Sequence, residues 1–559
     1  MPTVHLLDYV AGNVRSLVNA IEKLGYTVEW VKSPADVAKA DKLILPGVGH
    51  FGHCLNQFNK AAYTEPIIKH IEAGKPFLSI CVGLQVLFEG SEEDPAVPGF
   101  GIIPGYLKKF LDSDKSVPHI GWNSANTPPP KDGQADQSLY GLRRNSKYYY
   151  VHSYAVPYTE GKLEKLGWTV ATARYGNEKF VGAIAKDNIL ATQFHPEKSG
   201  VAGLRLIKAF LDGNKLSPMP KERLILGRAA SSEEGLTRRV IVCLDVRTND
   251  EGDLVVTKGD QYDVREKGGD GVAAGGQVRN LGKPVEMARR YYEQGADEIT
   301  FLNITSFRNC PAADLPMLEI LRRTSETVFV PLTVGGGIRD TVDPDGKTVS
   351  ALEIATLYFN SGADKVSIGS DAVIAAEEYY ARGKKLEGTT AIESISKAYG
   401  SQAVVVSVDP KRIYLKSPSD TTHSTVKTSR LGPNGEEYCW YQCTIKGGRE
   451  GRDMDVIQLV QAVEALGCGE ILLNCIDQDG GDNGFDLELT QSVKDACTIP
   501  VIASSGAGNP GHFEMVFELT TTNAALAAGM FHRGEYTVRD VKDFLQSTGF
   551  LVRQFEADI

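Results

Sequence analysis

The chain has no apolar run long enough to cross a membrane, and its first residues lack a basic segment followed by an apolar stretch. We therefore expect neither a membrane span nor a secretory signal. The nine cysteines lack the paired short spacings of a disulfide framework or a zinc site. Basic residues are not in excess either, since the formal net charge is -11. These absences predict a cytoplasmic protein that uses no metal or other cofactor and binds neither nucleic acid nor membranes.

The length and patterning predict two α/β domains. At 559 residues the chain is too long for one hydrophobic core. In the first region, apolar runs such as Val4–Leu7 and Phe77–Ile80 alternate with amphipathic stretches, which indicates an open α/β sheet of the flavodoxin-like type. An irregular segment with Pro, Gly and Ser clusters follows and is interpreted as a linker. The predicted domains are residues 1–212 and 238–559, with the linker at 213–237.

The second region contains a weak internal repeat. Three segments of its first half recur in the same order in its second half: Gly295–Ile304 as Gly467–Ile476, Pro331–Gly337 as Pro500–Gly506, and Val240–Asp245 as Val404–Asp409. Two halves of four strand-helix units each predict a (β/α)₈ TIM barrel. A polar insertion after Asp409 contains an alternating stretch, Glu437–Ile445, which predicts a hairpin strand on the face where barrel active sites lie.

Three motifs of the first region combine into one candidate site. Cys81 lies between an apolar strand and a helix, where a thiol is exposed and the helix N-terminus favours the thiolate. A lone cysteine there is more often structural, but His195 and Glu197 supply a base and a carboxylate to orient it. The loop Gly47-Val48-Gly49 can present backbone N–H groups to an oxyanion.

In this order and spacing, the motifs resemble the class I glutamine amidotransferases across the whole first domain. The segments Pro118–Asn123 and Tyr150–Tyr154 resemble in particular the glutaminase of histidine biosynthesis. The resemblance implies a set of roles: Cys81 as the nucleophile that forms a glutamyl thioester, His195 as its acid-base, Glu197 as the orienting carboxylate, Val48 as an oxyanion donor, and Gln85 as a glutamine contact.

The barrel region has two acidic residues at equivalent strand ends, Asp245 and Asp409. In a shared cavity, two carboxylates can hold different protonation states, as general acid-base chemistry requires. The alternative is a pair of strand-end caps. Lys258 offers positive charge in the first βα-loop, although a single loop lysine is usually just solvated. Small residues at other strand ends could bind one phosphate in each half of the barrel: Gly336, Gly337, Gly369 and Ser370, and Ser505, Gly506 and Gly529.

This region resembles the cyclase of imidazole glycerol phosphate synthase, and a glutaminase fused ahead of it is the fungal and plant arrangement. The resemblance implies that ammonia and a bisphosphorylated ribonucleotide derivative give imidazole glycerol phosphate and AICAR. It makes Asp245 and Asp409 the acid-base pair and places Lys258 in the substrate loop. It adds three candidate substrate contacts: Asn303, Asp479 and Gly480. Two departures are Asn303, where many bacterial cyclases carry Asp, and a turn at 504–506 that is less rich in glycine.

Four charged residues begin, or directly precede, barrel strands and so should lie at the N-terminal face: Arg239, Glu298, Lys365 and Glu470. We expect them on alternate strands. Location at this face alone indicates a salt-bridge cluster that stabilises the barrel. The family resemblance implies that they form a gate for ammonia.

Two alternatives remain open from the sequence. Pyridoxal phosphate synthase also pairs a glutaminase with a barrel, but its chemistry needs barrel lysines where Asp245 and Asp409 stand here. A catalytically silent scaffold is disfavoured by the intact Cys81, His195 and Glu197. The expected substrates are glutamine and the bisphosphorylated ribonucleotide derivative, with both activities on one monomeric chain.

Overall fold

The computed structural model describes residues 1–7, 12–47, 49–129, 137–219, 234–248, 254–257, 283–304, 315–342 and 346–557. Two candidate site residues, Val48 and Lys258, lie outside the described residues. Within these ranges, no helix is both long enough and apolar enough to cross a membrane.

The first domain is an open α/β sheet. In chain order its elements are β1 (Thr3–Leu7), α1 (Arg15–Lys23), β2 (Thr27–Val31), α2 (Pro34–Lys39), β3 (Leu43–Leu45), α3 (Phe51–Lys60), α4 (Thr64–Glu72), β4 (Phe77–Ile80), α5 (Val82–Gln85), β5 (Gly90–Ser91), β6 (Tyr106–Lys109), β7 (His119–Asn123), β8 (Gln137–Leu139), β9 (Tyr148–His152), β10 (Tyr154–Ala155), β11 (Thr169–Tyr175), β12 (Glu178–Lys186), β13 (Ile189–Thr192), α6 (Gly200–Asp212) and β14 (Leu216–Pro218). The main sheet has the order β11-β12-β13-β4-β3-β1-β2. Its five strands from β13 to β2 are parallel, and β11 and β12 are antiparallel. The predicted open sheet is thus confirmed, and the strands around Cys81 read as continuous apolar runs because both sheet faces are covered.

The segment predicted as an irregular linker contains a short strand. β14 pairs antiparallel with β8, so after α6 the chain first runs along the first domain. Farther on, the backbone N–H of Thr237 donates to the carbonyl of Trp122 at 2.9 Å. Both described ends of this segment are therefore hydrogen-bonded to the first domain.

The second domain is a closed barrel. Its elements are β15 (Arg239–Thr248), β16 (Leu254–Thr257), α7 (Pro284–Glu293), β17 (Glu298–Asn303), α8 (Leu315–Ser325), β18 (Leu332–Gly335), β19 (Thr341–Val342), β20 (Thr348–Val349), α9 (Ala351–Asn360), β21 (Lys365–Ile368), α10 (Ser370–Ala381), α11 (Ala391–Tyr399), β22 (Val404–Val408), β23 (Pro410–Leu415), β24 (Thr425–Lys427), β25 (Tyr438–Ile445), β26 (Glu450–Asp455), α12 (Val456–Ala465), β27 (Glu470–Asn474), α13 (Leu487–Ala496), β28 (Val501–Ser504), α14 (Pro510–Leu519), β29 (Ala524–Ala527), α15 (Gly529–His532) and α16 (Val538–Ser547). Eight parallel strands follow the order β15-β17-β18-β21-β22-β27-β28-β29, and β29 pairs with β15 to close the ring. This confirms the predicted TIM barrel.

The insertion after Asp409 is larger than the single hairpin strand that its alternation predicts. β25 does form, but it lies in a four-stranded sheet with β23, β24 and β26. β23 begins at Pro410, directly after Asp409, and pairs with β25 along its whole length. The sheet therefore rises from the mouth of the barrel beside Asp409.

The first domain docks on the N-terminal face of the barrel. The Asn13 side chain donates to the Asp364 carboxylate at 2.8 Å, and Lys198 forms an ion pair with the same carboxylate at 2.7 Å. The Trp122 indole N–H donates to the carbonyl of Asp297 at 3.0 Å. Asp297 and Asp364 directly precede β17 and β21, so these contacts lie at the strand starts.

Candidate active sites

Cys81 occupies a strained turn between β4 and α5. Its φ is 52° and its ψ is -109°, a conformation that is costly for a residue with a Cβ. Its backbone N–H donates to the carbonyl of Thr192 at 2.7 Å, which holds the turn beside the end of β13. Gly47 packs so tightly on this turn that a Cβ there would lie 2.3 Å from the carbonyl oxygen of Ile80. Glycine at position 47 is therefore required for this geometry.

His195 is bonded to both of its expected partners. Its Nδ1–H donates to Glu197 Oε1 at 2.8 Å, and its ring is also hydrogen-bonded to the Cys81 thiol. Its backbone N–H donates to the carbonyl of Tyr149 at 2.9 Å, which fixes the loop after β13. Burial opposes a charged ring, but Cys81 and Glu197 together raise the pKa of His195 well above its usual value. The arrangement favours a charged imidazolium next to the Cys81 sulfur, and a histidine in this position can exchange protons with a cysteine nucleophile and its substrate.

Two buried glutamines extend from the nucleophile. The Gln85 side-chain NH₂ donates to the carbonyl of Tyr154 and to Gln193 Oε1, each at 3.2 Å. The Gln193 side-chain NH₂ in turn donates to Cys81 Sγ at 3.6 Å. Gln193 is not among the residues selected from the sequence, although it stands two positions before His195. The motif around His195 contains Gln193, but a local sequence pattern does not indicate the direction of its side chain.

A cavity of about 40 Å³ lies between the domains, next to the nucleophile. Cys81, His195 and Gly49 line it on the side of the first domain, and Lys365 lines it on the barrel side. Gly49 has a φ of 113°, and a Cβ there would lie 3.6 Å from the carbonyl oxygen of Ala398 in α11. The nucleophile, one glycine of the candidate oxyanion loop and the base of the barrel therefore border one space.

The four charged residues predicted at the N-terminal face form one buried cluster. Arg239 lies 3.1 Å from Glu298 and also contacts Glu470. Lys365 Nζ lies 2.7 Å from Glu298 and 2.6 Å from Glu470, and each of the four side chains is at most 1% exposed. Thr333 donates to Glu298 at 2.6 Å. Burial opposes ionisation, but Arg239 and Lys365 lower the pKa of Glu470 below its usual value. The cluster is therefore a charge-balanced layer across the base of the barrel.

The expectation that these residues lie on alternate strands is wrong in one respect. They come from β15, β17, β21 and β27, and β15 and β17 are neighbours. Glu298 pairs in register with Ile241, so Arg239 lies two residues nearer the first domain than Glu298 does. The long guanidinium side chain bridges this offset, which is why adjacent strands can both contribute.

Asp245 and Asp409 lie at the opposite, C-terminal end of the strands. Burial is the main reason that the pKa of Asp409 is raised to about 6. The negative charge of Asp479 raises this pKa further, whereas a hydrogen bond from Asn474 lowers it. That hydrogen bond joins Asn474 Nδ2 to Asp409 Oδ1 at 3.2 Å. Asp245 Oδ1 accepts a hydrogen bond from the Cys243 thiol at 3.6 Å. The charge of Asp479 contributes to raising the pKa of Cys243. Asp479 thus interacts with the surroundings of both candidate acids.

The small residues selected as phosphate contacts fall into two groups on opposite sides of the barrel mouth. One group follows β18 and β21, the third and fourth strands of the ring, and the other follows β28 and β29, the seventh and eighth. The first group is Gly336, Gly337, Gly369 and Ser370; the second is Ser505, Gly506 and Gly529. Gly506 has a φ of 92°, and a Cβ there would lie 2.3 Å from the carbonyl oxygen of Gly484.

The remaining candidates also lie at strand ends, with one addition. Asn303 is the last residue of β17 and is buried, and Gly480 follows Asp479 in the turn after β27. Asn474, which was not selected from the sequence, bonds Asp409 and also accepts a hydrogen bond from the Ser505 hydroxyl. The internal repeat does not reveal it, because Asn474 aligns with Leu302 and Asn303 aligns with Cys475.

Comparisons with known proteins agree with this geometry. Residues 5–212 match the family described as glutamine amidotransferase class-I, and residues 239–537 match the family described as histidine biosynthesis protein. The chain is 71% identical over 559 residues to imidazole glycerol phosphate synthase hisHF of Emericella nidulans, with all of both chains covered. It is 58% identical to the Schizosaccharomyces pombe synthase hisHF, covering 98% of this chain and 99% of that one. The chloroplastic Arabidopsis thaliana relative is 52% identical, covering 98% of this chain and 89% of that one.

The fold and the sites define a class I glutamine amidotransferase joined to a barrel cyclase of histidine biosynthesis. It is an enzyme with both domains on one chain. The chain belongs to the imidazole glycerol phosphate synthase family, in its bifunctional form. This confirms the family resemblance and removes pyridoxal phosphate synthase and a silent scaffold as alternatives.

Proposed function

We propose that Cys81, His195 and Glu197 hydrolyse glutamine. The Cys81 thiolate attacks the side-chain amide carbon, forming the S–C bond of a thioester as the C–N bond breaks. His195 gives its proton to the departing nitrogen, which leaves as ammonia. Water then cleaves the thioester, with His195 taking a proton from it, and glutamate is released. Glu197 holds the ring for both proton transfers, which its hydrogen bond to Nδ1 supports.

Glutamine binding is assigned to the residues around this turn. Gln85 contacts the substrate, and Gly47, Val48 and Gly49 form the oxyanion loop, with a backbone N–H of Val48 as a donor. The close packing of Gly47 on the Cys81 turn supports this role, because it sets the loop directly against the nucleophile.

Ammonia passes from this site into the barrel. Released into water near neutral pH, it would be protonated to ammonium, which is not a nucleophile, so a sheltered route is required. The observation that carries the proposal is the cavity bordered by both Cys81 and Lys365. Arg239, Glu298, Lys365 and Glu470 act as the gate of this route.

At the barrel mouth, ammonia converts phosphoribulosyl formimino-AICAR phosphate into imidazole glycerol phosphate and AICAR. Asp245 and Asp409 transfer the protons, and a pKa of about 6 lets Asp409 exchange a proton near neutral pH. The two groups of small residues bind the two phosphates, since they lie on opposite sides of the mouth. Lys258, Asn303, Asp479 and Gly480 contact the substrate between them.

The functional unit is a single chain in the cytoplasm that binds no nucleic acid. Its domains are 1–212 and 238–559, with the linker at 213–237. The presence of both sites on one chain supports a monomer, and the net charge of -11 disfavours nucleic-acid binding. Sedimentation of the purified chain tests the monomer.

The Cys81→Ala variant tests the assignment of two separate sites. It should abolish synthesis from glutamine and keep synthesis from ammonium salts, because the barrel needs ammonia and not the thiol. Product formation from each nitrogen source is the measurement. Cys54→Ala is the matched control, since Cys54 is also buried but lies in α3, and it should keep both activities. Glutamine hydrolysis by Cys81→Ala, or loss of both activities in a folded variant, would refute the assignment.

A further inference from the structure

Two histidines of the glutaminase domain form a buried pair that the reaction above does not use. His119 on β7 and His152 on β9 stand directly opposite each other in the antiparallel pair of strands. His119 Nδ1 and His152 Nε2 are 3.1 Å apart, and the two residues are 0% and 4% exposed. The His119 ring stacks on Tyr175, with a centroid distance of 4.1 Å. Polar groups so completely buried need defined hydrogen-bond partners.

The hydrogen bonds determine which nitrogen of each ring carries the proton. The Asn123 amide has a fixed orientation, because its oxygen accepts from the N–H of Ser124 at 2.8 Å and its NH₂ donates to the carbonyl of Arg174 at 2.8 Å. The same NH₂ faces His119 Nε2 at 3.3 Å, so this nitrogen must accept and carries no proton. His119 is therefore protonated on Nδ1 and donates to His152 Nε2.

The same reasoning continues through the second ring. His152 Nε2 accepts from His119, so the proton of His152 is on Nδ1, where it donates to the carbonyl of Tyr154 at 2.8 Å. A carbonyl can only accept, which agrees with this assignment. Both rings are then neutral. Burial acts in the same direction, since it lowers the pKa of His152 to about 3 and the pKa of His119 well below its usual value.

This chain of hydrogen bonds ends at the nucleophile. The Tyr154 carbonyl that accepts from His152 also accepts from the Gln85 side chain at 3.2 Å. The Gln85 NH₂ donates a hydrogen bond to Gln193 Oε1, and the Gln193 NH₂ donates one to Cys81 Sγ. The direction of every bond from Asn123 to Tyr154 is therefore determined, and the carbonyl at its end anchors the proposed glutamine contact.

We propose that His119 and His152 are positioning residues of the glutaminase, which orient the Tyr154 carbonyl and thereby hold Gln85 in the geometry that binds glutamine. The inference rests on the proposed role of Gln85 in glutamine binding. A purely structural pair would support the core without affecting the affinity for glutamine separately.

The tautomers are tested on the unaltered chain. Labelling the histidines with ¹⁵N and recording long-range ¹H–¹⁵N correlations reports the protonation of each nitrogen, and His119→Asn and His152→Asn variants assign the signals. The expected result is that both rings are neutral with the proton on Nδ1. A ring protonated on Nε2, or on both nitrogens, would overturn the inference.

Paired substitutions test the effect on glutamine. His152→Asn keeps an N–H donor near the position of Nδ1, and His152→Phe keeps the volume but removes the donor. His152→Phe should raise the KM for glutamine about tenfold, with a smaller change in kcat, and His152→Asn should restore most of the affinity. Synthesis from ammonium salts should be unchanged in both. An equal effect of Asn and Phe, or an unchanged KM in His152→Phe, would overturn the proposal.

A second pair covers the case in which His152→Phe does not fold. His119→Asn keeps a donor to His152, whereas His119→Phe leaves His152 Nε2 without one, so His119→Phe should have the higher glutamine KM. The same KM in both variants would overturn the proposal. These outcomes are distinct from a failure of the proposed function, which would appear as glutamine hydrolysis by Cys81→Ala.

Discussion

Replacing Lys365 by alanine should uncouple glutamine hydrolysis from synthesis while leaving the barrel chemistry active. Lys365 borders the cavity that contains Cys81, and its Nζ lies 2.7 Å from Glu298 and 2.6 Å from Glu470. Alanine would remove the cation that closes this side of the charged cluster. Ammonia could then leave the route, and glutamine could be hydrolysed without product formation.

The contacts of Lys365 also indicate how much stability Lys365→Ala should lose. Removing one partner of a buried ion pair leaves an uncompensated charge and typically destabilises a protein by about 3–5 kcal/mol. Arg239 remains in contact with both Glu298 and Glu470, so we expect the lower end of that range. The pKa of Glu470 should rise, since Lys365 is one of the two cations that lower it.

The assay is the ratio of glutamate released to imidazole glycerol phosphate made when the barrel substrate is present, together with the rate of glutamate release when it is absent. In Lys365→Ala the ratio should rise above one, and synthesis from ammonium salts should be nearly unchanged. Lys542→Met is the matched control, because Lys542 is equally buried and pairs with Asp297 at 2.6 Å but does not border the cavity. A ratio near one in folded Lys365→Ala, or the same rise in Lys542→Met, would show that the cluster is only structural.

Three further predictions concern single residues of the two sites. The raised pKa of Asp409 means that the folded chain binds this proton more tightly than the unfolded chain, so the stability that the proton contributes is complete below about pH 4 and is lost as the pH rises to about 6. Asp409→Asn should therefore block cyclisation from either nitrogen source. It should also raise the free energy of unfolding at pH 8 by about 2–3 kcal/mol, and this gain should be absent below pH 4. Denaturant titrations at both pH values check this, and a variant less stable than the unaltered chain at pH 8 would contradict it. Glu197→Gln should lower the pKa of His195 and reduce the glutaminase kcat by a factor of about 10²–10⁴. Synthesis from ammonium salts is the internal control and should be unchanged. A glutaminase rate equal to that of the unaltered chain would exclude the orienting role of Glu197. Gly47→Ala should abolish glutaminase activity because its Cβ would meet the carbonyl of Ile80 at 2.3 Å; glutamate release measures this, and full activity would mean that the turn can shift without penalty.

The parts of the site that could be predicted from the sequence have local signals. The turn at Cys81 follows an apolar strand and opens a helix, and His195 and Glu197 are two residues apart, so their mutual placement depends on a few peptide units. The alternation of strands and helices, repeated in the second half, is likewise enough for a barrel. Strand polarity then decides the face: Asp409 follows a strand and Lys365 begins one, so they fall at opposite ends.

Contacts between distant parts of the chain needed the tertiary structure. Arg239 and Glu470 meet across 231 residues, and the offset between neighbouring strands, which no local pattern contains, decides that Arg239 can reach Glu298 as well. The pairing of His119 with His152 depends on the register of two strands that could slide by one residue and turn each ring to the other face. The sequence by itself thus determined the fold class, the motifs and the end of the barrel at which each charged group lies. Which side chains contact each other was decided only by strand register and ring closure, because these set the distances between residues that are far apart along the chain.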